Sequence, residues 1–184
     1  MTKLFFSALI LSFFLSFPTA AVSMDNPPEA GDTLPEFAFQ APYTITEKKY
    51  LGIGDVDVFT LEELEAEFFL IEVVGTYCPI CHIQSDDVNR LFNRIVMDEE
   101  LSARMLMFAV SSGSTDTEIE YLRETWQAPY PILPDFDYEF FNFIGSPGVP
   151  FTLIVSCDGR IHYTNTGRMQ EISAYLEKIR EIVR

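Results

Sequence analysis

The run Phe68-Phe69-Leu70-Ile71-Glu72-Val73-Val74 is almost continuously apolar, and Cys78-Pro79-Ile80-Cys81 follows it after a three-residue gap. A stretch this short, β-branched at its end and bounded by Gly75, fits a central strand covered on both faces. Beyond the cysteines, Ile80, Ile83, Val88, Leu91, Phe92, Ile95 and Val96 recur at three- and four-residue steps, the signature of an amphipathic helix. A buried strand leading through a cysteine pair into a helix commits the chain to an α/β sheet. It also puts chemistry-bearing side chains in the turn between strand and helix.

The remaining elements extend that plan. Residues 37–59 read as short strands and turns, with Gly52 and Gly54 marking a loop. That Gly-x-Gly lacks the continuation and the helix that a nucleotide site requires. Thr60 with Glu63, and Thr115 with Glu118, have capping-box spacing, the second opening a helix to about Gln127. Met105 to Val110 is a second buried strand, Pro131 to Pro134 a short extended piece, and Tyr138 to Phe143 an aromatic-rich helix. Asp158-Gly159 between Phe151–Val155 and Arg160–Thr164 is the strongest hairpin signal. Ile172, Tyr175, Leu176, Ile179 and Ile182 predict a closing amphipathic helix. Early βαβ units imply parallel strands, and the hairpin adds an antiparallel edge. The 184 residues, 48% hydrophobic, suffice for one core and are too few for two ordinary domains.

The N-terminus is set apart from this fold. Lys3 precedes an apolar run from Leu4 to Phe17, then Pro18 and small residues, and Ala21-Val22-Ser23 fits a signal-peptidase site. Residues 1–23 are therefore expected to be a signal peptide and 24–36 an extended lead-in, with the folded domain at 37–184. The apolar run is short for a bilayer-spanning helix, which needs about 20 residues; a membrane tether follows only if the segment stays uncleaved. Loss of residues 1–23 leaves 11 basic against 28 acidic side chains, a net charge of −17. Such a chain repels phosphate backbones and anionic lipid surfaces, so nucleic acid is excluded as a partner.

Two cysteines three residues apart at a helix start can close a disulfide in place. With Cys78 as N-cap, Pro79 takes the first helical position, where its missing N–H costs nothing. The N–H groups of Ile80 and Cys81 then point toward the Cys78 sulfur, and together with the helix dipole they favour its thiolate. Thiolate is the attacking species in disulfide exchange, so Cys78 is the expected nucleophile and Cys81 the resolving thiol. A four-residue loop makes a weak structural disulfide, because stabilisation grows with loop length. Zinc asks for about four ligands, and only Cys78, Cys81, Cys157, His82 and His162 are on offer, so no metal site is expected.

On these residues the chain resembles the thioredoxin superfamily, and within it the TlpA/ResA-like exported redoxins. The similarity runs from about Leu34-Pro35-Glu36-Phe37 to the C-terminus, through Ile71 to Cys81 and through Gly148-Val149-Pro150-Phe151-Thr152. It implies a three-layer α/β sandwich, a central mixed sheet with helices on both faces. It also implies a cis peptide before Pro150, which would expose the Val149 backbone to an extended substrate segment; Pro147 is the competing position. The chain carries Tyr77 where the family usually has Trp, and Ile80 as the second residue between the cysteines. Tyr77, Pro79, Ile80, Val149 and Phe151 are the expected substrate-binding residues, with Tyr77 and Phe151 as an apolar rim.

Glu72 is the one polar residue in its strand. A carboxyl there should be desolvated and raised in pKa, unless it lies near a strand end and reaches water or a lysine. The resemblance implies that it shuttles a proton for Cys81. Six extended residues span roughly 20 Å, so the chain must fold back to bring the two together. His82 reads as a surface residue, Cys157 as an unpaired thiol, and His162 receives no role. The resemblance implies an exported, periplasmic thiol–disulfide oxidoreductase of the protein-disulfide reductase type. Its partners would be protein thiols and disulfides and an electron-donor protein, membrane-bound or soluble. It would need no cofactor beyond the Cys78–Cys81 disulfide. A thiol peroxidase and a non-enzymatic copper or zinc carrier are the alternatives.

Overall fold

A computed structural model describes residues 23–169 and 171–184. The expected signal peptide, Ser23 apart, lies outside the described residues. Among the described residues no helix is long and apolar enough to cross a membrane.

The chain opens with a small antiparallel pair, β1 (Phe39–Gln40) and β2 (Val58–Phe59), joined through a helix, α1 (Ile45–Leu51). A helix here corrects the expectation of strands and turns over residues 37–59. Its signals are local: Thr44 Oγ1 accepts from Glu47 N–H at one end, and Gly52 closes the other in the left-handed conformation. With Leu51 as its one fully buried residue, the segment shows no apolar stripe to read.

After a single 3₁₀ turn at Leu61–Glu63 come β3 (Phe68–Val74), α2 (Pro79–Val96), α3 (Glu99–Ser102), β4 (Met105–Ser112), α4 (Asp116–Trp126) and β5 (Ile132–Asp135). These three strands run parallel, and both crossovers step the same way along the sheet. Right-handed connections then put α2 and α4 on one face. The short α5 (Glu139–Phe143) leads back across the other face to β6 (Phe151–Ser156), which pairs antiparallel with β3. The Asp158-Gly159 turn continues into β7 (Ile161–Thr166), and α6 (Ile172–Val183) closes the chain. The sheet order is β5-β4-β3-β6-β7, the mixed sheet of the expected three-layer sandwich.

All seven residues of β3 are buried, and the two-residue period divides them between two cores. Phe68, Leu70 and Val74 pack with Cys81, Val88, Leu91 and residues of α4 and α6. Phe69, Ile71 and Val73 pack with Phe39, Phe59, Phe140 and Phe143 on the opposite side. Both sheet edges are covered along part of their length. At the β5 edge the half-buried Glu47–Arg123 ion pair takes the outward N–H and C=O of Ile132. At the β7 edge, Thr33 forms a bridge with Arg160, and Gly31 and Leu34 donate to Ile161 O and Gly159 O. The lead-in is thus laid down on the domain.

Gly145 marks where this lead-in meets the body. Its φ is +74°, and a Cβ built there would stand 2.2 Å from the Asn26 carbonyl carbon. Only glycine accommodates both the left-handed backbone and that approach. Gly145→Ala should lower the unfolding free energy by about 2 kcal/mol. It should also speed hydrogen exchange at the lead-in amide of Gly31, which donates to Ile161 O. Urea unfolding and exchange mass spectrometry check the pair, and an unchanged Gly31 amide would mean the contact does not anchor the segment.

Candidate functional site: the Cys78–Cys81 pair and its buried acid

The site forms where β3 runs out. The chain turns through Gly75-Thr76-Tyr77, and Cys78 caps α2 with extended backbone, Pro79 standing at the first helical position. The two cysteines form a disulfide with Cα atoms 5.2 Å apart. Cys81 N–H donates to Cys78 Sγ over 3.1 Å. The contact expected from Ile80 N–H is not formed, so one amide, with the helix dipole behind it, faces the sulfur. Cys78 is half-buried while Cys81 is 1% exposed, so an incoming group reaches only the first sulfur.

Across the turn, Val149–Pro150 is the cis peptide among the described residues; Pro147 is trans. Val149 carbonyl oxygen lies 3.6 Å from Cys78 Sγ, and Pro150 is buried just before β6 begins. Tyr77 is 84% exposed and Ile80 45%, flanking the pair on the solvent side with Pro79. Ile83 and Val96 are also exposed, which corrects the apolar face predicted for α2: the buried stripe runs through Cys81, Gln84, Ser85, Val88, Leu91, Phe92 and Ile95. Polar residues sit in that stripe because each finds a partner inside, as Ser85 does with His82 O. Phe151 is a second correction. It points to the β1–β2 side of the sheet and is 2% exposed in that core, so it is not part of a rim. The alternation of β6 turns its neighbour Thr152 toward α2 instead.

That alternation builds the polar centre of the interior. Glu72 and Thr152 are cross-strand partners, and Thr152 Oγ1 donates to Glu72 Oε1 over 2.7 Å. Gln84 Nε2, one turn beyond Cys81 on α2, donates to Glu72 Oε2 over 3.3 Å. Glu72 lies between Leu70 and Val74 on the same sheet face as Cys81, and among the described residues no lysine or arginine pairs with it. Burial pushes its carboxyl up to about 7, and the two donors hold that rise in check. Reaching water or a lysine at a strand end is thereby excluded: Glu72 is 1% exposed in mid-strand. Tyr130 and Tyr175 close around it, their hydroxyls made less acidic by burial first and by the Glu72 charge second.

His82 does not lie loose on the surface. Trp126 Nε1–H donates to its Nδ1 over 2.8 Å, so Nε2 carries the hydrogen that bonds to Thr76 O at 2.8 Å. The ring ties the first turn of α2 to the loop before Cys78. Both nitrogens are engaged, so the Cys78-x-x-Cys81-His82 match to a c-type haem attachment pattern finds no free imidazole here. The signal missed in the sequence was the lone Trp126, which only the β4–β5 crossover brings to the site. Tyr77 is tethered too, its hydroxyl donating to Glu118, whose carboxyl that bond and the Thr115 cap hold down to about 2. Cys157 is a free, exposed cysteine on the β6–β7 turn, and His162 pairs with Ser156; both stand apart from the disulfide. Among the described residues no group of three His, Cys, Asp or Glu side chains could hold a metal ion.

No protein-family model matches the chain. The thiol-disulfide oxidoreductase ResA of Halalkalibacterium halodurans is 23% identical over 122 residues, 65% of this chain. That match spans just under two thirds of the relative, 66% of its length. The crystal structure assigned as a thiol:disulfide interchange protein DsbE from Chlorobium tepidum superposes with a TM-score of 0.64. It is 16% identical and covers 86% of this chain and 100% of its own. StoA from Bacillus subtilis superposes with a TM-score of 0.59 at 12% identity, over 82% of this chain and 98% of StoA. What the two structures share with this chain is the fold: its mixed five-stranded sheet with helices on both faces is thioredoxin-like, and in sequence the chain is similar to a protein named ResA.

Proposed function

We propose that the protein is an exported thiol–disulfide oxidoreductase that reduces protein disulfides through the Cys78–Cys81 dithiol. The observation that carries this reading is the pair's unequal exposure at the mouth of α2. Cys78 is reachable and faces one helix N–H, while Cys81 is shielded behind it on the side of Glu72. The cysteines are themselves the redox group, so the reading calls for no cofactor or metal.

In the first step Cys78 thiolate attacks one sulfur of a substrate disulfide, forming a mixed disulfide and releasing one substrate thiolate. Glu72 carboxylate then takes the Cys81 proton, and Cys81 attacks Cys78 Sγ. The second substrate thiol leaves, and the Cys78–Cys81 disulfide forms. Two electrons have passed to the substrate, so a donor dithiol, membrane-bound or soluble, must reduce the pair again. The free edge at Val149, presented by the cis peptide, would pair with an extended substrate segment, and Tyr77, Pro79 and Ile80 would cover its side chains. Export is supported by the apolar N-terminal segment, with cleavage placed after Ser23. The domain then comprises residues 37–184 with 24–36 packed on it. Similarity to a protein named ResA supports the reductase direction.

Purified protein should reduce insulin under dithiol supply, and Cys78→Ser should abolish that activity; wild-type activity in this variant would overturn the reading. Cys81→Ser should instead accumulate mixed disulfides through Cys78, visible on non-reducing gels.

Glu72 gives the reading a pH signature. Because the base is the carboxylate, the rate of resolving the mixed disulfide should rise with pH through about 7 in the wild type. In Glu72→Gln it should be slower on the order of 10²-fold and lose that inflection, with attack by Cys78 unaffected. Quenched-flow trapping of the mixed disulfide separates the two steps.

Stability should move the other way. The folded carboxyl titrates near 7 against an ordinary 4.5, so its contribution is fully present below pH 4.5 and is lost as pH rises through about 7. Between pH 4.5 and 8 Glu72→Gln should gain about 3 kcal/mol on the wild type in urea unfolding.

A further inference from the structure

We propose that Gln84 is a positioning residue: held by the Met169 backbone, it fixes the Glu72 carboxylate in the orientation that receives the Cys81 proton. The inference rests on the oxidoreductase reading above and assigns a role that neither sequence nor fold supplies.

Gln84 is 2% exposed in a stripe of α2 that is otherwise largely apolar. A buried amide must be satisfied, and its two ends are satisfied by different elements. Met169 N–H, in the segment before α6, donates to Gln84 Oε1 over 3.1 Å. An amide N–H can only donate, so the oxygen of Gln84 must face Met169 and its nitrogen must face Glu72. The side chain therefore cannot flip without breaking both bonds. Its Nε2 reaches Glu72 Oε2, while Thr152 reaches Oε1 from the other side. The carboxylate is gripped at both oxygens, by α2 through Gln84 and by β6 through Thr152. Gln84 follows Cys81 by three residues, so the same rigid turn of α2 carries the proton donor and the group that aims its acceptor.

The other groups packed around Glu72 do not perform this task. On β3 itself its face neighbours are Leu70 and Val74, and on β4 its register partner is Ala109. Tyr130, before β5, and Tyr175, on α6, are buried phenols that stay protonated. Tyr163, on β7, packs edge-on against Tyr175. On α2, Cys81 is the titrating partner of the reaction, and Asp87 is already paired with Arg90 and Arg168. No cation acts on Glu72 from any of these elements, which leaves Gln84 and Thr152 as the groups that favour its charged form.

Gln84→Met and Gln84→Glu test the assignment. Methionine keeps the length and loses both bonds; glutamate keeps an acceptor for Met169 N–H and puts a like group against Glu72. The primary readout is the Glu72 carboxyl titration, followed by ¹³C NMR in full-length mature protein. Its midpoint should rise by about one pH unit in Gln84→Met and further in Gln84→Glu. The inflection in the resolution rate should move up in parallel, while the pH dependence of Cys78 alkylation in the reduced protein stays in place. Thr152→Val, which removes the other donor, should raise the midpoint as well. A midpoint that stays at its wild-type value in a folded Gln84 variant, with only the melting temperature lowered, would reduce Gln84 to a packing residue and overturn the inference. The titration reads the grip on Glu72 whether or not the protein reduces disulfides. Absence of insulin reduction in the wild type would therefore count against the proposed function, and an unmoved carboxyl against the role of Gln84.

Discussion

Glu72 is held in the middle of a strand whose seven residues are all buried, and this works only because donors meet it from two sides. Antiparallel register between β3 and β6 sets Thr152 opposite it, and the packing of α2 over the same face brings Gln84 within reach. A carboxylate placed in that interior without donors would protonate or force the layers apart. The β3–β6 register, the placement of α2 and the segment before α6 thus all bear on one acid. The same requirement explains Gln84 in the buried stripe of α2.

Much of this was legible along the chain. The burial of Phe68–Val74, the helix beginning at Cys78 and the turn at Asp158-Gly159 each follow from local pattern, and each stands where expected. What escaped depended on tertiary partners. Ile80 and Ile83 fit a helical period as well as Val88 and Leu91 do, yet at the first turns of α2 there is no layer above them to cover that side. Phe151 stands next to Pro150 in the sequence, but as the first strand residue after the cis peptide it faces the opposite core. α1 offered too little apolar surface to show a period, although Thr44, Glu47 and Gly52 had marked its ends. The lock on His82 joins residues 44 positions apart and has no local signature.

The site divides its work between two environments separated by one helical turn. Cys78 looks outward, where a helix N–H stabilises negative charge and exposed Tyr77, Pro79 and Ile80 surround it. Cys81 looks inward, where the dielectric is low and a thiolate could form only if its proton had a place to go. In the proposed reaction a base in such a place must hold a proton well enough to take one from a thiol, and burial of Glu72 supplies that property. The donors that keep it ionisable near neutrality are then part of the same device.

Rigidity on the protein side of this turn follows from how many independent anchors converge on it. Trp126 and Thr76 hold the His82 ring, Thr76 Oγ1 is bonded to Ser114, and Glu118 holds Tyr77. These contacts come from α4 and the end of β4, elements of the crossover that the resemblance to small redoxins does not by itself explain. They brace the loop immediately before Cys78 from the side opposite Pro150, so the Cys78 sulfur is fixed between two supports. A disulfide exchanger needs its attacking sulfur aligned with the two sulfurs it displaces, and alignment is cheaper to hold in a braced loop than to find anew at each encounter. The exposed face beyond Tyr77 stays open, so in the proposed reaction the approach of the partner is left unconstrained.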